Sequence, residues 1–296
     1  MNGRRVKIVA ALSVFVMAGA ACSKSTPSTT NPPTNTGGGV PAFTTLEEGV
    51  LQVASCLDYA PFENVKNGEP YGFDIDMTDA IAAKIGFDKD HVHWVKANFG
   101  TIFTHVAGGA FDAVAAAATA TGKLGASRAQ TVTFSNYYYD ARLSFAINPV
   151  QSPTITSWQQ LGSGDSVGVQ RGSTGADWAV TNLEPKGVTV KEYQDATDAI
   201  RDLSGGNVTA VVNDEPSSYA IAATMTDVKV VEPVGAVDKY AFAFAPTNQG
   251  LVDAWNYGLA QVIADGEYQT IFAKYFPGTP VPPEYTPGFV PSSPSA

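Results

Sequence analysis

Cysteine is nearly absent from this 296-residue chain, which holds only Cys22 and Cys56. At most one bridge could form, so a disulfide framework is excluded and stability must come from packing. Histidine is as scarce, with His91, His93 and His105 alone. His91 and His93, beside Asp88 and Asp90, could place two imidazoles on one side of a strand as metal ligands. A polar turn leading into Trp94 explains the same residues, and neither a metal nor any other cofactor is expected. Basic residues are outnumbered, 18 Lys and Arg against 28 Asp and Glu, giving a formal net charge of −10. No Lys/Arg cluster lies beyond the N-terminus, so the basic footprint of a nucleic-acid partner is missing. There is no Gly-x-Ser-x-Gly elbow, no Cys–His pair and no phosphate loop ending in Gly-Lys-Ser/Thr. Gly37-Gly38-Gly39 has no helix after it to cradle a phosphate. The single long apolar run, 8–21, is too short to span a bilayer.

What that run does have is a positive flank. Arg4, Arg5 and Lys7 precede it, the layout of a signal peptide, and Cys22 follows directly on Gly19-Ala20-Ala21. That junction resembles a lipobox, although Gly19 stands where Leu is usual. The expectation is a leader over 1–21, a lipid on Cys22 and a disordered tether over 22–45 made of Ser, Thr, Pro, Asn and Gly. The protein would then sit outside the cytoplasm, held to the membrane through Cys22. The 19 prolines include six in 278–296, which reads as a disordered tail.

Between these ends strand and helix patterns alternate, an α/β arrangement. Strands are expected over 50–55 and 111–115, and in a second βα series that starts after 137–142 over 166–170, 188–193, 208–213, 228–231 and 240–244. Phe99, Ile102, Phe103 and Val106 recur at helical spacing before Gly108-Gly109. Leu251, Trp255, Leu259, Val262 and Ile263 mark a longer helix, and Pro216 falls where a first helical turn tolerates it. The most informative stretch is Tyr71-Gly72-Phe73-Asp74-Ile75-Asp76-Met77, where a strand turns directly into a helix with Ile75, Ile81, Ala82 and Ile85 on its apolar face. Asp74 is expected to cap that helix and Asp76 to sit in its first turn. The same two carboxylates could in principle act as acid and base.

Residues 72–85 resemble the signature of family 3 of the bacterial extracellular solute-binding proteins, receptors that feed amino-acid ABC importers. Further similarities follow in order. They are Tyr59-Ala60-Pro61-Phe62, Phe99, Phe111-Asp112-Ala113-Val114, Thr119-Ala120-Thr121, Arg128, Val132-Thr133-Phe134-Ser135, Val167-Gly168-Val169-Gln170-Arg171-Gly172-Ser173-Thr174, Asp265-Gly266-Glu267-Tyr268 and Lys274-Tyr275-Phe276. Together they cover 46–277.

The resemblance implies a two-lobed, periplasmic-binding-protein-like type II fold. Lobe 1 would comprise 46–141 and 240–277, lobe 2 would comprise 142–239, and the crossings would lie near 140–143 and 232–239. It also implies residue roles. Arg128 would pair with a ligand carboxylate, although six residues separate it from Thr121, more than is usual. Thr119 would offer its hydroxyl and amide, Ala117 its carbonyl, and Ser173 and Thr174 the amides of a helix start. Asp214 would pair with an ammonium, and Tyr59 and Phe99 would sandwich the side chain. Read without the resemblance, Ser173 and Thr174 cap a helix, Asp214 belongs to an Asp-Glu-Pro turn, and the two aromatics are core. Cys56 stands where several relatives have an acid that reads a distal amine, which favours a neutral polar or acidic amino acid over a basic one.

The function implied is that of a monomeric, non-enzymatic binding component that closes on an amino acid and delivers it to ABC permease subunits. Secreted cyclohexadienyl or arogenate dehydratases share the scaffold, so an enzyme is the alternative, and a tethered amino-acid sensor is another.

Overall fold

In a computed structural model of the chain, residues 39–288 are described. Cys22, the leader and most of the tether lie outside them, as do the last residues of the tail. No helix among the described residues is long and apolar enough to cross a membrane.

The strands are β1 (Leu51–Ser55), β2 (Asn64–Lys66), β3 (Glu69–Tyr71), β4 (Val92–Lys96), β5 (Ala113–Val114), β6 (Thr133–Ile147), β7 (Ser166–Gln170), β8 (Thr189–Tyr193), β9 (Ala210–Asp214) and β10 (Lys229–Phe244). The helices are α1 (Phe73–Ile85), α2 (Phe99–Ala107), α3 (Gly122–Arg128), α4 (Thr174–Asn182), α5 (Ala196–Ser204), α6 (Glu215–Ala222), α7 (Gln249–Ala264) and α8 (Glu267–Tyr275). All strands but the β2–β3 hairpin join one ribbon in the order β4-β1-β5-β10-β6-β9-β7-β8. Its centre is the antiparallel pair β6 and β10, long enough to serve both ends. Near Phe244, β10 pairs with β5, whereas the far half of β6, from Leu143 to Ile147, pairs with β9.

The sequence pattern puts two separate strands at 228–231 and 240–244, but they form the single strand β10. Val234 to Asp238 breaks its register against β6, and this bulge holds a Gly and exposed residues in the middle of a continuous strand.

Both faces of each half are covered, as strands buried on two sides require. In β9, Ala210 and Val212 join one cluster with Val167, Val169 and Leu183, while Val211 turns to Ile200 and Leu203. In the other half, Leu51 and Val53 face Met77, Ile81, Trp255 and Leu259, and Ala54 faces Phe99, Ile102 and Val106. The period-2 reversal of side chains along each strand produces this division.

Both ends of the described chain depart from expectation. Val40 and Phe43 pack on the larger cluster, with Phe43 5.8 Å from Phe87, so order begins before residue 46. Beyond 278, residues Pro283–Tyr285 form a turn and Tyr285 is buried. Its hydroxyl donates to Asp140 at 2.6 Å, while Lys239 reaches both Asp140 and Glu284. An aromatic in a Pro-rich stretch had a cavity to fill, and composition alone hides that.

Asp74 does not cap α1. The cap position is Gly72, and Asp74 is wholly buried, accepting the Ala117 amide at 2.8 Å and the Tyr138 hydroxyl. Burial raises its pKa despite both donors. Asp76 lies in the first turn, bonded to Lys274 and Tyr275.

Candidate functional site

The chain leaving β1 closes a tight loop. The Tyr59 amide donates to the Glu63 carbonyl at 2.6 Å, and the Glu63 amide returns the bond at 3.0 Å. The carbonyls of Pro61 and Phe62 accept the first two amides of α1, from Phe73 and Asp74, at 2.9 and 2.8 Å. These donors have no partner within the helix, so the loop serves as the cap. Gly72 makes the approach possible, since a Cβ there would lie 2.0 Å from the Phe62 carbonyl oxygen. Phe62 then wedges between Tyr139, Tyr240 and Phe276, with ring centroids 5.0, 5.4 and 5.7 Å away. Tyr59 and Glu63 are thereby fixed on either side of a buried aromatic.

The segment after β5 forms the next wall. Ala117 has φ of 45°, a conformation that costs a non-glycine residue energy, and the bond to Asp74 holds it there. Ala118 and Ala120 pair with β10 through Ala241 and Lys239. The six residues between Thr121 and Arg128 are not a loose loop but most of α3. Gly125 permits its close seat, because a Cβ would meet the Ala120 carbonyl carbon at 2.3 Å. Arg128 ends that helix buried, its guanidinium 5.1 and 4.6 Å from the ring centres of Phe99 and Phe103. It donates to the Thr119 carbonyl at 2.8 Å and to the Gly172 carbonyl at 2.9 Å.

From the other side come Gln170 at the end of β7, Ser173 and Thr174 at the start of α4, and Asp214 at the end of β9. Ser173 caps α4, accepting the Ala176 amide at 3.1 Å, so the capping reading of Ser173 holds whatever else it does. Asp214 does not cap α6 with its side chain. Its carboxylate accepts the Tyr59 hydroxyl at 2.7 Å.

All eight candidates, Tyr59, Phe99, Ala117, Thr119, Arg128, Ser173, Thr174 and Asp214, line one cavity with Cys56, Glu63, Ala116 and Gln170. The void is small, about 20 Å³, roughly the room one water needs. Its walls are drawn together by the Tyr59 hydroxyl, within hydrogen-bond distance of both the Asn213 Oδ1 and the Asp214 carboxylate, and by Arg128 donating to the Gly172 carbonyl. Burial raises the Asp214 pKa to about 6, against the opposing pull of the Tyr240 and Tyr59 hydroxyls and Arg128. Burial lowers Arg128 to about 10, which leaves it charged at neutral pH. Burial also pushes the Cys56 thiol and the Glu63 carboxyl up. An arginine and an aspartate in one desolvated cleft offer complementary charges to a zwitterion.

Sequence reasoning omitted Glu63, Ala116 and Gln170 from this lining. Gln170 stands inside the Val167–Thr174 run and Glu63 directly follows Tyr59-Ala60-Pro61-Phe62, so an acid appended to an aromatic motif was the available signal.

The chain's similarities agree with this geometry. The model of bacterial extracellular solute-binding proteins, family 3, matches residues 51–278. The histidine-binding periplasmic protein of Salmonella typhimurium is 28% identical over 245 residues, 76% of this chain and 87% of that one. The solved structure of an ancestral arginine-binding protein bound to arginine superposes with a TM-score of 0.69 at 29% identity, covering 77% of this chain and 98% of that chain. An ancestral amino acid-binding protein described as a precursor of cyclohexadienyl dehydratase gives a TM-score of 0.69 at 28% identity, covering 77% and 96%. With its two βα halves joined through β6 and β10, this chain has the type II periplasmic-binding-protein fold and belongs to family 3 of the bacterial extracellular solute-binding proteins.

Proposed function

We propose that the protein is the substrate-binding component of an amino-acid ABC importer, capturing its ligand by closure of the two halves about β6 and β10. One observation carries this reading: Arg128 and Asp214 enter one buried cleft from opposite halves, a cation for an α-carboxylate and an anion for an α-ammonium. The start of α4 at Ser173 and Thr174 adds amide donors for the same carboxylate. Thr119 and Ala117 complete the polar rim, and Tyr59 and Phe99 flank the side chain. The void is too small for an amino acid in the described arrangement, so entry separates Tyr59 from Asp214 and Arg128 from Gly172. The ligand then replaces both bonds, each of which has one charged partner, with ion pairs in which both partners are charged.

Cys22 would carry the lipid that keeps the receptor beside its permease, with the tether giving reach, and the protein would act outside the cytoplasm as a monomer. The test is a thermal-shift screen of the full chain, unfolded and refolded to strip carried ligand, against the twenty amino acids. A ligand at about 100 times its Kd stabilises the native state by about 2.7 kcal/mol.

The buried carboxyls of Asp214 and Glu63, both with pKa values raised by burial, also favour one rival, acid catalysis of a dehydration in the same cleft. Turnover of prephenate or arogenate, abolished by Asp214→Asn, would replace the receptor reading.

A further inference from the structure

The ionisable groups lining the cleft are not all matched by the α-carboxylate and α-ammonium of an amino acid. Among the lining residues Arg128 is the single cation, against the two carboxyl groups of Asp214 and Glu63. A ligand's α-carboxylate matches Arg128 and its α-ammonium matches Asp214, which leaves Glu63 over. We propose that Glu63 recognises a positive charge at the end of the ligand's side chain, so that the preferred cargo is a basic amino acid. The inference rests on the amino-acid-receptor reading and gives its ligand class.

Glu63 is 0% exposed, and neither carboxylate oxygen has a hydrogen-bond partner among the described residues. An acid buried for structural reasons is ordinarily hydrogen-bonded, because stranding it costs the desolvation of the group. Asp74 and Asp112 show that pattern in this same protein, each accepting two protein donors. Glu63 does not, although its backbone is tied at both N–H and C=O to Tyr59. The loop thus places the carboxyl in the cleft wall and gives it no protein partner.

Its surroundings favour a cation over any other partner. Glu63 is the foremost charged influence on Cys56, followed by Asp58 and Asp195. Lys96 is the cation of that corner, and its Nζ lies 3.3 Å from Asp58. A glutamate or aspartate ligand would bring a further negative charge to this group of acids. A neutral side chain would leave Glu63 either ionised without a counter-charge or protonated. A guanidinium, ammonium or imidazolium would satisfy it and ionise it together. Burial, then the neighbouring Asp74, Asp58 and Asp214, push the carboxyl's pKa up, and a cation placed beside it would oppose that shift.

Cys56, the basis for expecting a neutral or acidic cargo, therefore does not leave the cleft without a side-chain acid. Glu63 supplies one from the same loop.

The deciding experiment is calorimetric titration of the refolded full chain with arginine, lysine, histidine, glutamine and glutamate, repeated on Glu63→Gln. The wild type should bind at least one basic amino acid roughly 10-fold or more tighter than glutamine. Glu63→Gln, nearly isosteric, should weaken that ligand by roughly 30-fold or more while leaving glutamine unchanged or improved. Should Glu63→Gln not fold, Glu63→Asp provides the second variant, and it should keep the basic preference at reduced affinity. Wild-type binding of glutamine or glutamate as tight as any basic amino acid would overturn the inference and leave the receptor reading intact. Equal loss of every ligand in Glu63→Gln would do the same. Failure of the wild type to bind any α-amino acid would overturn the receptor reading, and the inference with it.

Discussion

Asp74 and Ala117 are 43 residues apart in sequence, and the carboxylate of one accepts the backbone amide of the other at 2.8 Å in the protein interior. The first residues of α1 thus hold a strained turn of the cleft wall in place. Asp74→Ala strands the Ala117 amide and the Tyr138 hydroxyl, so unfolding free energy should fall by about 2–5 kcal/mol, read by urea titration. Ligand affinity should fall with it, because the turn supplies Ala117 and Thr119. A variant as stable as the wild type would refute the role given to Asp74.

Arg128→Ala and Asp214→Ala should each weaken ligand binding by about 2–5 kcal/mol, since each leaves its charged partner buried and unpaired. The Arg128 change also removes a cation stacked on Phe99 and Phe103, so calorimetry should be accompanied by a melting curve that separates binding from packing. Wild-type affinity in both would contradict the site assignment.

Tyr59→Phe tests the bond that spans the halves. It deletes the hydroxyl that occupies Asp214 in the described arrangement and keeps the aromatic wall. Affinity should hold or rise, with any loss below about 1.5 kcal/mol, the upper value for an ordinary hydrogen bond. The radius of gyration of the ligand-free protein should increase, as small-angle scattering would show. A large loss of affinity would mean that the hydroxyl contacts ligand.

The ligand-free protein should be more stable in mild acid than at neutrality. Burial raises the carboxyl pKa values of Asp214, Glu63 and Asp74, so the folded state holds protons that the unfolded chain releases. For Asp214 that contribution is complete below an unfolded value of about 4 and is lost as pH climbs to about 6. Asp88, Asp202, Asp265 and Glu284 are shifted the other way, but they lie near the surface, where solvent screens them. The melting temperature should therefore be higher near pH 5 than near pH 7.5, and Asp214→Asn should narrow the gap. Ligand binding at neutral pH should release protons as the acids ionise against it.

Removal of residues 279–296 should destabilise the protein, because Tyr285 is buried and bonded to Asp140. Loss of a packed aromatic costs about 3–5 kcal/mol. Differential scanning calorimetry of the truncated chain checks this, and an unchanged melting temperature would show the tail to be dispensable.

Much of this was legible in the sequence, for identifiable reasons. The βα rhythm and the face of Ile75, Ile81, Ala82 and Ile85 follow from period alone, and the eight site candidates converge on one cavity because ordered motifs carried them. Other features depend on partners distant in the chain. Asp74 looks like a cap until Ala117 and Tyr138 arrive beside it. The six residues after Thr121 read as a lengthened loop when set against the usual spacing, yet they form most of α3, and Gly125 is what lets it sit on Ala120. Glu63 is an ordinary acid in sequence, and burial without a hydrogen-bond partner becomes visible only in three dimensions.

The measurement that bears most directly on the receptor account is calorimetric titration of the refolded full chain with the twenty amino acids, in parallel with Arg128→Ala. Saturable one-to-one binding of a restricted set of amino acids, lost or greatly weakened in Arg128→Ala, is the predicted result. No binding to any of them, or binding that Arg128→Ala leaves untouched, would contradict it.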